Sequence, residues 1–179
     1  CWGWNQFGQL GYGHTENIGD DELPRGQGVV SLGMGAIEIC AGGQFSCAVM
    51  QDGSLRCWGH NGYGQLGLGH TQPISKTEPP LNTPAIALGE KAQHVACGRD
   101  HACVLLESGA IRCWGNNAEG QLGIGNTQVI GDDELPASVE AVPLGSAANS
   151  VVAGSAHSCA LLKNGLVRCW GANTRGQLG

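Results

Sequence analysis

The string Cys-Trp-Gly begins at residues 1, 57, 113 and 169, so the chain repeats every 56 residues. Around it recurs Cys-Trp-Gly-x-Asn-x-x-Gly-Gln-Leu-Gly, spanning Cys1 to Gly11, Cys57 to Gly67, Cys113 to Gly123 and Cys169 to Gly179. A unit of this length cannot bury an apolar face alone, so neighbouring units must stack. The repeats run 1–56, 57–112 and 113–168, and residues 169–179 start a fourth. The chain opens on Cys1 and closes inside the motif, and so reads as a segment of something longer.

Within the second period the apolar segments are Ala85 to Leu88, His94 to Cys97, Ala102 to Leu106 and Ala110 to Trp114. All are too short for ordinary helices. Four short strands per period predict an all-β chain of propeller blades, each of four antiparallel strands. The composition agrees. With 31 Gly among 179 residues and 13% charged residues, neither a helical bundle nor a charged disordered tail fits.

The last two segments of each period join through Gln51-Asp52-Gly53, Glu107-Ser108-Gly109 and Lys163-Asn164-Gly165. A three-residue loop with Gly third predicts a type I turn closed by a left-handed residue, which only Gly adopts cheaply. That turn fixes register: Met50 faces Ser54, Val49 faces Leu55, and Cys47 faces Cys57. Cys103 faces Cys113 and Cys159 faces Cys169 in the same way. Each pair falls at a non-hydrogen-bonded site, where Cα atoms come within about 4.5 Å and a disulfide can form. The competing reading is that Cys recurs as a small buried strand residue. Of the other cysteines, Cys1 would pair with a residue ten positions upstream, and Cys40 and Cys97 have no assigned partner.

The repeated Gly-Gln-Leu-Gly, the Cys-flanked hairpin and the 56-residue period resemble the regulator of chromosome condensation repeat family, over essentially the whole chain. The resemblance implies a propeller of about seven blades, of which this chain would supply three. The remaining blades would come from a longer chain or a second copy. Two places depart from the pattern. Phe45 stands where His101 and His157 occupy the corresponding position, and Ser75-Lys76-Thr77 replaces the Gly-Asp-Asp of the other connectors.

Candidate chemistry is sparse. There is no Gly-x-Ser-x-Gly elbow, no His-Glu-x-x-His and no asymmetric constellation, so no catalytic residue is assigned. Gly67-Leu68-Gly69 and Gly123-Ile124-Gly125 lack the third glycine and following helix of a dinucleotide fingerprint, and no cofactor is expected. His101, Cys103 and Cys113 could share a face, as could His157, Cys159 and Cys169, but Phe45 breaks the set and no metal is assigned. The connectors Gly19 to Pro24 and Gly131 to Pro136 read GDDELP. They suit a solvated turn or, less simply, a Ca²⁺ site. Trp58 and Trp114 each follow an Arg by two residues, so guanidinium and indole share a strand face and can stack.

Nine Lys and Arg against fifteen Asp and Glu leave a net charge of −6, which argues against nucleic acid. No apolar run approaches the roughly 18 residues of a membrane-spanning helix. Specificity should then lie where the repeats differ. After each Cys-Trp-Gly the variable residues include Trp4, Gln6 and Phe7; His60 and Tyr63; Asn116 and Glu119; and Arg175. They fall at matching points of successive blades and so form an arc on one face. Aromatic and Arg residues there suit a protein interface, although loops also vary without a role.

The expected function is a non-enzymatic propeller that binds a protein partner through these loops. Cysteine pairing points to a secreted or cell-surface setting, with cytoplasm or nucleus as the alternative. The resemblance implies two other functions: guanine nucleotide exchange on a small GTPase, as the founding family member performs, and inhibition of an extracellular enzyme.

Overall fold

The computed structural model describes residues 1–179. Three antiparallel sheets follow one another along the chain: β1 Ala36–Ala41, β2 Phe45–Met50 and β3 Leu55–Gly59; β4 Ala92–Cys97, β5 His101–Leu106 and β6 Ile111–Gly115; and β7 Ala148–Ala153, β8 His157–Leu162 and β9 Val167–Gly171. Within each sheet the strands lie in chain order. Short 3₁₀ turns at Pro24–Gly26, Pro80–Asn82 and Pro136–Ser138 interrupt the connectors.

The hairpins have the register that their loops predict. Val49 pairs with Leu55 and Cys47 with Cys57, and the second and third sheets repeat both pairings. Gly53, Gly109 and Gly165 take φ of 83°, 85° and 85°, the left-handed conformation that closes each loop.

The fourth segment of each period does not join the ladder as a strand. Residues 84–88 touch β3 through one backbone bond, Ile86 N–H to Leu55 O at 2.9 Å, and Val142 N–H meets Ile111 O at 2.8 Å beside β6. Pro84 and Pro143 flank these contacts and have no N–H to extend them. Ile86, Leu88, Val142 and Leu144 are nevertheless buried, so these segments cover the sheet edges by side-chain packing.

The first strands of neighbouring sheets stand side by side. One apolar core runs continuously through all three sheets. A smaller cluster of Ala48, Met50 and Trp58 lies on the opposite face of the first sheet, where Val30 and Leu32 cover it. The third sheet turns Val152, Leu161 and Val167 outward.

Polar bonds stitch sheet to sheet. Trp58, Trp114 and Trp170 each donate the indole N–H to the carbonyl of Gln9, Gln65 and Gln121, at 3.0, 2.9 and 2.9 Å. These glutamines belong to the preceding repeat, so the Trp and Gln of the recurring motif form an inter-blade bond. The arginines do not stack on these indoles. Arg56 and Arg112 donate instead to carbonyls of the connectors, Thr83 O for Arg56 and both Pro136 O and Val139 O for Arg112. The guanidinium finds stronger partners in carbonyls left open by the 3₁₀ turns than in a ring face.

Candidate functional site

The recurring Asn organises each variable loop. Asn61 Nδ2 donates to His70 O and Gln72 O, and its Oδ1 accepts Leu66 N–H at 2.9 Å. Asn5 and Asn117 do the same in their loops. One step on, the Gln side chain accepts a backbone N–H from the variable residue two before it: Phe7, Tyr63, Glu119 and Arg175. Invariant amides thus hold the backbone, and the side chains between them are free to vary.

The glycine before each Gln has a second duty. Gly64 has φ 67°, and a Cβ there would meet Gly131 and lie 2.5 Å from Asp132 N. Gly8 packs equally closely on the Ser75 backbone. The first two loops are therefore clamped against the connector of the next repeat, whereas a Cβ at Gly120 or Gly176 would meet nothing within 4 Å.

That clamp builds the one corner where the candidate residues meet. Trp4 and Phe7 lie edge to face with centroids 5.8 Å apart, and Phe7 and His60 are 4.6 Å apart. Lys76 sits over the Phe7 ring at 5.1 Å, a cation–π arrangement. Trp4 is 45% exposed, and it also borders a cavity of 370 Å³ lined by Trp2, Leu10, Gly42 and Phe45.

Burial holds the His60 imidazole below its usual range, the positive Lys76 lowers it further, and Asp100 opposes them. Gln65 Nε2 donates to His60 Nδ1 at 2.9 Å, which leaves the ring proton on Nε2. The corner is thus an aromatic surface with one free cation.

Gln6 is exposed in the same loop as Trp4 and Phe7. Tyr63 is 44% exposed in the next loop. Asn116 turns inward on its own loop, accepting Ala118 N–H at 3.0 Å. Glu119 and Arg175 are exposed in later loops. The structure therefore gathers Trp4, Phe7 and His60 and leaves the others spread along the arc.

Lys76 lies outside the variable positions that follow Cys-Trp-Gly, and the departure of its connector from the GDDELP pattern is the signal that marks it. Ser75 beside it is the only non-glycine with positive φ, 71°. It occupies the position of Gly19 and Gly131, is buried, and its hydroxyl has no partner. Strain is therefore stored at the connector that carries Lys76.

The cysteines fall into four pairs. Cys47 and Cys57, Cys103 and Cys113, and Cys159 and Cys169 are bonded across their hairpins with Cα atoms 4.1, 4.1 and 4.0 Å apart. Cys40 and Cys97, left without partners by the sequence reading, are bonded between β1 and β4 with Cα atoms 5.7 Å apart. Hairpin register says nothing about contacts between sheets, so this bridge could not be read from it. Cys1 is exposed and unpaired.

One Ser–His contact has the spacing of a nucleophile and base, yet its geometry is structural. His101 Nε2 lies 3.0 Å from Ser158 Oγ, and that hydroxyl donates to Gln121 O at 2.9 Å. The serine proton is thus committed to a carbonyl, so Nε2 donates to the hydroxyl. Both residues are completely buried, out of reach of any substrate. Burial, with the His157 charge adding to it, pushes His101 down to about 4, and it is neutral at physiological pH.

Family models described as the regulator of chromosome condensation (RCC1) repeat match residues 1–49, 52–105 and 108–161, and, in a second alignment, 36–65, 92–121 and 149–177. The ultraviolet-B receptor UVR8 of Arabidopsis thaliana is 36% identical over 178 residues, covering 99% of this chain and 38% of the receptor. The secretion-regulating guanine nucleotide exchange factor of Bos taurus is 36% identical over 174 residues, covering 96% of this chain and 34% of that protein. The chain therefore spans little more than a third of the length of these relatives. Among solved structures, human WBSCR16 superimposes with a TM-score of 0.76 at 28% identity, covering 99% of this chain and 44% of that one.

Proposed function

This chain belongs to the regulator of chromosome condensation repeat family, and from that premise we propose that it is a non-enzymatic propeller segment that binds a protein partner through its variable loops. The observation that carries the reading is the corner of Trp4, Phe7, His60 and Lys76. Three rings and a cation converge at positions that differ between repeats, while the recurring Asn61, Gln65 and Trp114 are buried in hydrogen bonds within and between blades. Aromatic and cationic side chains of this kind dominate binding at protein interfaces. Gln6, Tyr63, Glu119 and Arg175 extend the surface along successive loops as its rim, and Asn116, whose side chain caps its own loop, borders it.

The outward Val152, Leu161 and Val167 face of the third sheet would be covered by a further blade, from a longer chain or a second copy. Four cysteine pairs favour an oxidising compartment, secreted or at the cell surface.

Quantitative affinity capture tests the reading, comparing the native chain with Trp4→Ala/Phe7→Ala and with a Glu119→Ala control. Partners should fall about tenfold in the first variant and stay within about twofold in the control, the usual contrast between anchor and rim. Equal retention by all three would remove the corner from the interface.

A second reading, guanine nucleotide exchange on a small GTPase, is supported by the exchange factor among the relatives. Such a protein acts by stabilising the nucleotide-free GTPase and needs no catalytic constellation of its own. Release of a fluorescent guanine nucleotide from a panel of small GTPases, with and without this chain, decides that alternative.

A further inference from the structure

Four cysteines converge where the first two sheets meet. Cys47 and Cys57 are bonded across the β2–β3 hairpin, and Cys40 and Cys97 are bonded between β1 and β4. The sulfurs of Cys40, Cys47 and Cys97 all lie within 4.8 Å of one another, so two disulfides stand in contact. Their exposure differs. Cys47 and Cys57 are 0% and 2% exposed, whereas Cys40 and Cys97 are half-buried and open to solvent on one side. Moreover, Cys40 and Cys47 are direct partners in the β1–β2 ladder. Opposed ladder residues have Cα atoms about 4.5 to 5.5 Å apart, within the range a disulfide spans.

We propose that this quartet is a disulfide-exchange site for soluble thiols, in which the solvent-side Cys40–Cys97 bond passes reducing equivalents to the buried Cys47–Cys57 bond. An external thiolate attacks Cys97 Sγ, forms a mixed disulfide and expels Cys40 as a thiolate. That thiolate attacks Cys47 Sγ, forms Cys40–Cys47 and expels Cys57 as a thiolate, which takes a proton from water. A second external thiol resolves the mixed disulfide, leaving Cys97 as a thiol and the two external thiols joined as a disulfide. In the balance one protein disulfide is reduced and one external disulfide is formed. The covalent link between the first two sheets is lost, and within the first sheet Cys40–Cys47 takes the place of Cys47–Cys57.

The second sheet supplies the internal control. Cys103 and Cys113 are as buried as Cys47 and Cys57, at 0% and 5% exposure, but no third cysteine adjoins them. A buried disulfide without a neighbouring thiolate has no route for attack.

The test is a titration of the oxidised chain with dithiothreitol at limiting dose, followed by alkylation and peptide mapping. Cys57 and Cys97 should be alkylated together, with Cys40 and Cys47 linked, and Cys57 should react about tenfold faster than Cys113 because attack within the quartet is intramolecular. A Cys97→Ser variant starts with Cys40 as a thiol and should expose Cys57 at mildly alkaline pH with no reductant present. Two results would overturn the proposal. One is release of Cys40 and Cys97 together with Cys47–Cys57 intact. The other is a Cys97→Ser chain in which Cys40 is alkylated and Cys57 stays protected.

Discussion

The first and second sheets share one register and one motif, yet their surroundings differ. Sheet two is packed on both sides: every residue of β5 is buried, His101 is locked to Ser158, and the following connector supplies Gly131 for the tight approach of Gly64. Sheet one departs at several of the matching points. Phe45 replaces the histidine, Cys40 reaches across to Cys97, and Ser75-Lys76-Thr77 replaces Gly-Asp-Asp. Two of these departures create features that sheet two lacks, the aromatic corner with its cation and the sulfur quartet. A repeat can acquire a local role this way because the hairpin register and the Trp-to-Gln bond already secure the blade.

Four expected outcomes bear on that contrast, the largest first. Removing the inter-sheet bridge with Cys40→Ser/Cys97→Ser frees a link of sequence separation 57, and Cys103→Ser/Cys113→Ser frees one of 10. Chain entropy assigns these about 4 and about 3 kcal/mol of lost stability, so urea midpoints should fall further for the first. Equal losses would mean that the bridge between sheets adds nothing to those within them.

The glycine clamp comes next. Gly64→Ala forces a Cβ onto Gly131 and Asp132 in a left-handed backbone, whereas a Cβ at Gly120 meets nothing within 4 Å. The expected cost is about 3 kcal/mol at Gly64 and about 1 kcal/mol at Gly120, read by thermal unfolding. Similar values would show that the loops are not clamped.

His101 gives the pH-dependent difference between the sheets. Its folded value of about 4 lies below the ordinary 6.5, so the unfolded chain binds the proton more tightly. The stabilising contribution is complete above pH 6.5 and is lost as pH falls toward 4, at about 1.4 kcal/mol per pH unit for a single proton. His101→Phe, which copies Phe45 of the first sheet, should flatten the acid limb of the stability profile across that window. An unchanged limb would assign the acid sensitivity to other groups.

The smallest effect belongs to the strained connector. Ser75→Gly relieves the φ of 71° and the buried hydroxyl, and stability should rise by about 1 kcal/mol, measured as an upward shift in Tm. If Tm does not move, Ser75 holds no strain and its contrast with Gly131 has no energetic content.

The sequence by itself determined the all-β repeat, the hairpin register and the opposition of Cys47 to Cys57, Cys103 to Cys113 and Cys159 to Cys169. These are local properties: a three-residue loop ending in Gly dictates which residues face each other a few positions away. It also marked Trp4, Phe7 and His60 as places where the repeats differ. It misjudged the fourth segment of each blade, because apolar pattern reports burial and not ladder hydrogen bonds, and Pro84 and Pro143 decide the latter. Only the tertiary structure decided what the sheets do to one another. Cys40 and Cys97 occupy ladder positions one residue out of step, Cys40 opposite Cys47 and Cys97 opposite Ala102, so the period does not superimpose them. Stacking of β1 against β4 brings their sulfurs together, just as the seating of the 74–84 connector on the preceding loop brings Lys76 over Phe7. Contacts of that kind depend on how twisted sheets nest in three dimensions, which no spacing along the chain encodes.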